Sequence, residues 1–463
     1  RDLTLTRRSL YQAELSRHER ILLRVYKKRF WFKEVKISIS GIRGVYGNDF
    51  VPSDVIKFCD GFSRLIKNGK CVIGRDTRTT GEMIEKLVSA TMLERGIDVY
   101  NLGISPTPVV FRKAKEIGAG IIITSSHNPL EWNGLKFILD GRGITEKELN
   151  VVKNERNLER PKIGKEIIAE SDYISDAVKI IGQLDQTQHV TLDIGGGAAR
   201  SVAPELLKKI GCEVTTINEE LEESSRGPDP TADKLIELVD KTKNIGFAFD
   251  LDSDRVILVM SGEKKSSDIT LGLGVVKAIK LGIKKFVLSV DSSLAVEKYI
   301  IAHGGKVWRS KVGEANVIQT MIKNNAEAGG EGSSGGFILK KFNMCRDGLL
   351  TSGLIASMID DESIQKDIEF FESFSQIRDK VSVESILHER VIAELTKKLK
   401  EKYEINQLDG IKISINENTW SLIRRSNTED IIRVSTESND KQMLEDIQKE
   451  MTVNVKSCYE EIK

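Results

Sequence analysis

Proline and cysteine are scarce in this sequence, at 8 and 5 of 463 residues. The cysteines (Cys59, Cys71, Cys212, Cys345 and Cys458) are odd in number, and none forms a CxxC pair or stands at metal-ligand spacing from a histidine. That excludes a disulfide scaffold and a zinc site, and it fits a reducing cytoplasm. No apolar run approaches the roughly 18–20 residues that span a bilayer. No continuous apolar stretch marks a secretory signal. Net charge is nearly absent, at +1, so nothing global points to nucleic acid or to a membrane as partner. No Pro- or Gly-rich linker divides the chain either.

The charge that is present is uneven. Residues 1–36 hold 11 Lys/Arg against 4 Asp/Glu. Residues 1–35 therefore read as a basic N-terminal extension, in which the stretch from Arg20 could form a basic amphipathic helix. At about 150 residues per domain, the length suggests roughly three to four domains. From Lys36 onward, short β-rich runs alternate with helical segments. Strands are expected over 36–40, 71–73, 97–102, 120–124, 190–194, 246–249, 256–260, 285–290 and 306–309. Helices are expected over 53–68, 81–95, 106–117, 203–210, 231–241, 271–281 and 294–303. This alternation predicts mixed, mostly parallel sheets with crossover helices, recurring three times at roughly 110-residue intervals. The C-terminal part reads helix, three strands, helix, a small α+β domain. The expected domains are 36–150, 151–262, 263–372 and 373–463.

Four segments carry chemistry. In the first, Ile121-Ile-Ile-Thr-Ser-Ser-His-Asn-Pro129, an apolar strand runs into a polar turn. Ser126 is placed at the carboxyl end of that strand, where open α/β sheets bind ligands. His127, Asn128 and Lys136 are suited to holding such a serine, although Ser-His-Asn-Pro alone also fits a simple Asx-type turn. In the second, Asp250, Asp252 and Asp254 follow an apolar strand at spacing i, i+2, i+4 and can converge on one hard cation. An EF-hand is excluded, because position six is Arg255 and position twelve is Ser261. An Asp-x-Asp nucleophile of the haloacid-dehalogenase type competes for Asp250 and Asp252. The third segment sets Glu331 and Ser333 in a run of glycines, over 328–337, that lets backbone approach a polyhydroxylated ligand. The fourth gathers Arg425, Ser426, Asn427, Thr428 and Arg433, the donor set of a phosphate clamp. Asp193-Ile-Gly-Gly-Gly reads as a structural turn, and Gly74-Arg-Asp-Thr-Arg-Thr-Thr-Gly81 as a helix start.

In this order and spacing, these segments resemble the α-D-phosphohexomutase superfamily of phosphoglucosamine mutases, phosphoglucomutases and phosphomannomutases, in its archaeal form. The resemblance runs from Lys36 to the C-terminus. It includes Ser40-Gly-Ile-Arg-Gly44, Gly74-Arg-Asp-Thr-Arg78, Ser105-Pro-Thr-Pro108, Thr124-Ser-Ser-His-Asn-Pro129, Asp250-Leu-Asp-Ser-Asp-Arg255, Gly330-Glu331 with Ser333, and Arg425-Ser-Asn-Thr-Glu429. It implies four domains around a central cleft and one Mg²⁺ held by Asp250, Asp252, Asp254 and the phosphate on Ser126. It also implies a reaction centre lined by Arg43, His127 and Lys136, with Lys136 as candidate acid/base. Arg255, Glu331 and Ser333 are expected to read the sugar, and the Arg425–Arg433 group to hold the non-reacting phosphate. A sugar 1,6-bisphosphate is the expected activator, and an oligomer such as a dimer is left open.

Two departures stand out. The sugar loop lacks the histidine that often follows Ser-Gly, and Glu429 is followed by Asp430 instead of proline. The implied reaction interconverts hexose 6- and 1-phosphates. Glucosamine phosphate leads on likeness to archaeal members, ahead of glucose and mannose phosphates. The other classes weighed are an Asp-based phosphatase and a non-catalytic relative.

Overall fold

The computed structural model describes residues 35–154, 163–221, 224–361, 363–426 and 429–463. The basic extension expected at 1–35 thus lies outside the described residues, save Val35. Among the described residues, no helix is long and apolar enough to cross a membrane.

Four sheets follow one another along the chain. In the first, Lys70–Arg75 lies between Asp98–Ile104 and Ala119–Ile123 in parallel, and Glu166–Ile168 extends the parallel edge. Trp132–Leu139, Gly41–Val45 and Lys36–Ser38 complete the other side antiparallel. This sheet takes in Glu166–Ile168, which lies past residue 150. The second sheet sets Gln188–Asp193 between Cys212–Ile217 and Ile245–Phe249 in parallel, with Val256–Met260 returning antiparallel. The third sets Lys285–Ser289 between Lys306–Ser310 and Ala328–Glu331, with Gly336–Leu339 returning antiparallel. The fourth is antiparallel throughout: Ser375–Ser382, Ile431–Ser438, Thr419–Arg425, Ile411–Asn416 and Ile405–Asn406.

Local sequence explains the central strands. Ala119–Ile123 reads AGIII and is buried at every position, as a strand between two neighbours in a covered sheet must be. The preceding helix Thr107–Ile117 carries proline in its first turn and ends at Gly118, whose φ of 107° is the left-handed stop that a side chain resists.

Several expectations change. The last sheet has five strands, not three, because Ser375–Ser382 and Ile405–Asn406 pair onto its two edges. The glycine-rich stretch over 328–337, expected as a loop, forms two paired strands around a single 3₁₀ turn, Gly332–Ser334. Glycine is needed there for close packing: a Cβ would lie 2.7 Å from the Val287 carbonyl oxygen at Gly329 and 2.4 Å from Leu271 Cδ1 at Gly330. The helix expected over 231–241 is reduced to Ile236–Lys241. Asp233 accepts the Leu235 N–H at 2.7 Å, and Leu235 turns to φ 54°, so the earlier residues are spent on a turn.

The second and third sheets share one apolar core, which runs from Tyr173 through Phe249 and Leu288 to Phe371. Helix Gly348–Ala356 lies within it, mostly apolar and buried at all nine positions, Thr351 and Ser352 included. Asp347 caps this helix, accepting the Leu350 N–H at 2.9 Å and the Tyr173 hydroxyl at 2.5 Å.

The last sheet meets the third domain through less. Val290, Trp420 and Leu422 form a small apolar cluster, Arg378 donates to Asp268 at 2.7 Å, and Lys412 donates to the Val290 carbonyl at 2.6 Å. Burial, and then Arg309, push the Lys412 ammonium down to about 7. The unfolded chain holds that proton to about pH 10.4. Between these values the unfolded state binds more protons, so stability rises with pH. The melting temperature is expected to climb from about pH 7 to about pH 9.5, and Lys412→Met to flatten that climb. Equal slopes in the two proteins would remove Lys412 as the cause.

Candidate active site

Ser126 follows the buried strand Ala119–Ile123 and is 1% exposed. Its φ is 51°, a left-handed conformation costing a non-glycine residue roughly 1–2 kcal/mol. The loop is held there from below. The Ser126 N–H donates to Thr124 Oγ1 at 2.8 Å, and that hydroxyl donates to Asp76 at 2.6 Å. Asp76 pairs with Arg78 at 3.0 Å, both side chains fully buried. Arg78 then donates to the carbonyls of Ser126 at 2.6 Å, Asn128 at 2.8 Å, Pro129 at 2.5 Å and Trp132 at 2.9 Å. One guanidinium therefore fastens four backbone carbonyls of the serine loop. Ser126 Oγ donates to Asp250 Oδ2 at 2.9 Å, and His127 Nδ1 lies 3.4 Å from Ser126 Oγ. Burial, then Arg255, Arg43 and Arg346, push His127 far below the usual imidazole range, so its ring is neutral near pH 7.

Asp250, Asp252 and Asp254 occupy the tight turn between the buried strands Ile245–Phe249 and Val256–Met260. Each is at most 1% exposed, and each offers an oxygen within 4.8 Å of the others. Thr107 donates to Asp252 Oδ2 at 2.7 Å, and Arg346 donates to Asp254 Oδ2 at 2.5 Å. The remaining oxygens, Asp252 Oδ1 and Asp254 Oδ1, are buried with no hydrogen-bond donor. Burial, then Asp252 and Asp254, hold the Asp250 carboxyl well above the usual range. Burial raises Asp252 as well. At Asp254 burial acts in the same direction, but Arg346, Lys136 and Arg255 more than offset it and keep the carboxylate ionised. Three clustered carboxylates with unpartnered oxygens fit a hard divalent cation such as Mg²⁺.

Cations surround this turn. Lys136 pairs with Glu314 at 2.8 Å and lies 4.0 Å from Asp254. Burial acts to lower the Lys136 pKa, but Glu314 and Asp254 more than offset it and hold it above the usual lysine value, so it stays an ammonium. Arg255 Nε lies 3.9 Å from Asp250 and 3.8 Å from Asp254. Burial lowers the Arg43 pKa, while Asp252 and Asp254 raise it. Glu331, buried, accepts the Gly313 N–H at 2.5 Å and Arg346 at 2.9 Å, and Ser333 is half-buried in the following turn.

Among the described residues, the bonds that join these loops do not extend to Arg425 and Arg433. Arg425 pairs with Glu389 at 2.9 Å and Arg433 with Glu429 at 2.5 Å. Ser426 is buried and accepts the Glu429 N–H at 3.2 Å. Asn427 and Thr428 lie outside the described residues. Asp430, the departure noted in this loop, accepts the Ser385 N–H at 3.1 Å, which turns its carboxylate toward the neighbouring turn Ser385–Leu387.

Four residues at the site were not singled out as functional side chains: Arg78, Thr107, Glu314 and Arg346. Arg78 and Thr107 belong to quoted motifs, which was signal enough to find them. Glu314 and Arg346 have no local pattern.

A serine at a strand end over a buried aspartate triad, within four consecutive sheets, defines an isomerase of the sugar-phosphate mutase class. Models of the phosphoglucomutase/phosphomannomutase family match the chain in order: alpha/beta/alpha domain I at 35–160, domain II at 171–263, domain III at 268–374 and the C-terminal domain at 382–452. The chain belongs to this phosphohexomutase family. A probable phosphoglucosamine mutase of Methanosphaera stadtmanae is 34% identical over 448 residues, covering 89% of this chain and 96% of the relative. A phosphoglucomutase/phosphomannomutase family protein of Burkholderia thailandensis has the same fold, with a TM-score of 0.78 at 22% identity over 91% of this chain and 98% of that one. An Aspergillus fumigatus N-acetylphosphoglucosamine mutase, solved with GlcNAc-6P and magnesium, aligns with a TM-score of 0.54 at 13% identity over 84% of this chain and 83% of that one.

Proposed function

We propose that this mutase interconverts glucosamine 6-phosphate and glucosamine 1-phosphate through a phosphoserine at Ser126 and a sugar 1,6-bisphosphate. The observation that carries the reading is Ser126 Oγ, fixed at a buried strand end 2.9 Å from Asp250. The choice of amino sugar rests on the archaeal relative's name. In the first half-reaction the P–O bond to Ser126 Oγ breaks as one forms to a sugar hydroxyl, that hydroxyl loses its proton and the serine oxygen gains one; the second half-reaction runs these changes in reverse at the other end of the sugar. The intermediate turns over and returns its other phosphate to Ser126.

This chain's residues divide the work. Lys136, kept charged by Glu314, faces the transferring group as a cation and proton donor. Neutral His127 and the guanidinium of Arg43 border the serine oxygen and the triad. Arg255, Glu331 and Ser333 take the sugar. Arg425, Ser426, Asn427, Thr428 and Arg433 take the distal phosphate, and approach of the last domain excludes water. Asp250, Asp252, Asp254 and the seryl phosphate would hold Mg²⁺, which when bound neutralises charge on the phosphoryl oxygens. The four sheets act as four domains around one cleft, divided between Ile168 and Tyr173 and near 262 and 372, the first boundary lying later than the expected 150 because Glu166–Ile168 pairs onto the first sheet.

³¹P NMR with Mg²⁺ and a trace of sugar 1,6-bisphosphate tests this. Glucosamine 6-phosphate is expected to give a 1-phosphate signal faster than glucose or mannose 6-phosphate. A faster glucose or mannose reaction overturns the sugar assignment, and inorganic phosphate as sole product overturns the transfer. Chelation with EDTA, or Asp252→Asn, is expected to lower turnover by about 10²–10³-fold. Added Mg²⁺ should restore the chelated enzyme but not the variant.

A further inference from the structure

Arg346 joins three loops that meet at the site. Its Nη2 donates to Asp254 of the aspartate turn at 2.5 Å. Its Nη1 donates to Glu331 of the glycine-rich turn at 2.9 Å and reaches Ser334 at 3.4 Å. Its backbone N–H donates to Glu314 Oε2 at 3.0 Å, and Glu314 holds Lys136 through its other oxygen. The side chain is 9% exposed.

The glycine-rich turn is shaped around it. A Cβ at Gly336 would stand 2.2 Å from Arg346 Cδ, so the arginine stem passes where a side chain on that strand would collide. This turn is also the one that lacks its expected histidine, and Arg346 brings a fixed positive charge to it.

We propose that Arg346 is a positioning residue that fixes Glu331 against the aspartate turn and, by occupying Asp254 Oδ2, leaves Oδ1 as the oxygen offered to the metal. The planar fork is what allows one side chain to serve two carboxylates. The inference rests on the phosphohexomutase reading for the role of Glu331. Its consequence for the metal does not depend on which sugar is used.

The test compares Arg346→Met and Arg346→Lys with the unaltered chain. Three quantities are read: Mn²⁺ affinity by electron paramagnetic resonance without sugar, KM and kcat for the sugar phosphate, and the melting temperature. Arg346→Met removes a like charge beside the metal and frees Asp254 Oδ2, so Mn²⁺ should bind about tenfold more tightly. The same variant releases Glu331, so KM should rise about tenfold. Arg346→Lys keeps the charge, so Mn²⁺ affinity should stay within about twofold, while KM rises because an ammonium does not reach both carboxylates. Weakening of both metal and sugar in step with a lower melting temperature overturns the proposal. So does an unchanged Mn²⁺ affinity in Arg346→Met. If the unaltered chain turns over no sugar phosphate, the functional reading fails by itself and the Mn²⁺ measurement still decides Arg346.

Discussion

Replacing Ser126 by alanine is expected to abolish mutase turnover, by about 10⁴-fold or more, with folding intact. The serine oxygen is the atom that carries the phosphoryl group in the proposed cycle. His127 is half-buried beside the serine oxygen, and Asp250 belongs to the aspartate cluster. Removing the hydroxyl deletes one hydrogen bond to Asp250 and leaves the Arg78 clamp untouched. Stability should therefore change by no more than about 1 kcal/mol. Two readouts decide the matter. ³¹P NMR should show no 1-phosphate, and the intact mass of the variant should lack the phosphate that a sugar 1,6-bisphosphate adds to the parent. A variant that keeps a tenth of parental turnover would move the reaction away from Ser126. The Asp250-x-Asp252 phosphatase weighed from the sequence predicts such retention.

The second large effect is expected at Arg78. This arginine touches no substrate in the proposed cycle, yet its guanidinium fastens four carbonyls between Ser126 and Trp132 and neutralises Asp76. Arg78→Met would leave Asp76 buried without its ion partner and the carbonyls without donors. Breaking a buried pair by removing one partner costs about 3–5 kcal/mol. The strained Ser126 conformation would lose its support, and displacement of a reacting atom by an ångström can cost about 10²-fold in rate. Arg78→Lys should recover part of the stability and little of the rate, because an ammonium cannot reach four carbonyls in the geometry of the fork. Urea unfolding and kcat measured on the same samples test this. A folded Arg78→Met with parental midpoint and parental kcat would show that the loop holds its shape unaided.

How much of this was legible beforehand depends on where each residue's partners lie. Ser126 and the aspartate turn could be read because each pairs an apolar strand with its own polar turn inside about ten residues. The strands over 328–339 were not legible. Their glycines have no β-propensity of their own and are strand-forming only because Val287 and Leu271 press against them. The helix over 231–241 failed for the opposite reason, since a local Asp233 turn outcompeted a helical pattern.

The class of fold, the loops that carry the chemistry, and the family could be read along the chain, because those signals are contiguous runs with fixed spacing. Which side chains hold those loops came from the packing alone. Arg346 lies 92 positions from Asp254, Thr107 lies 145 from Asp252, and Arg78 lies 48 from the Ser126 carbonyl it binds. No local period links such residues. They meet because the sheets place their strand ends together, and a buried carboxylate or carbonyl placed there must find a donor.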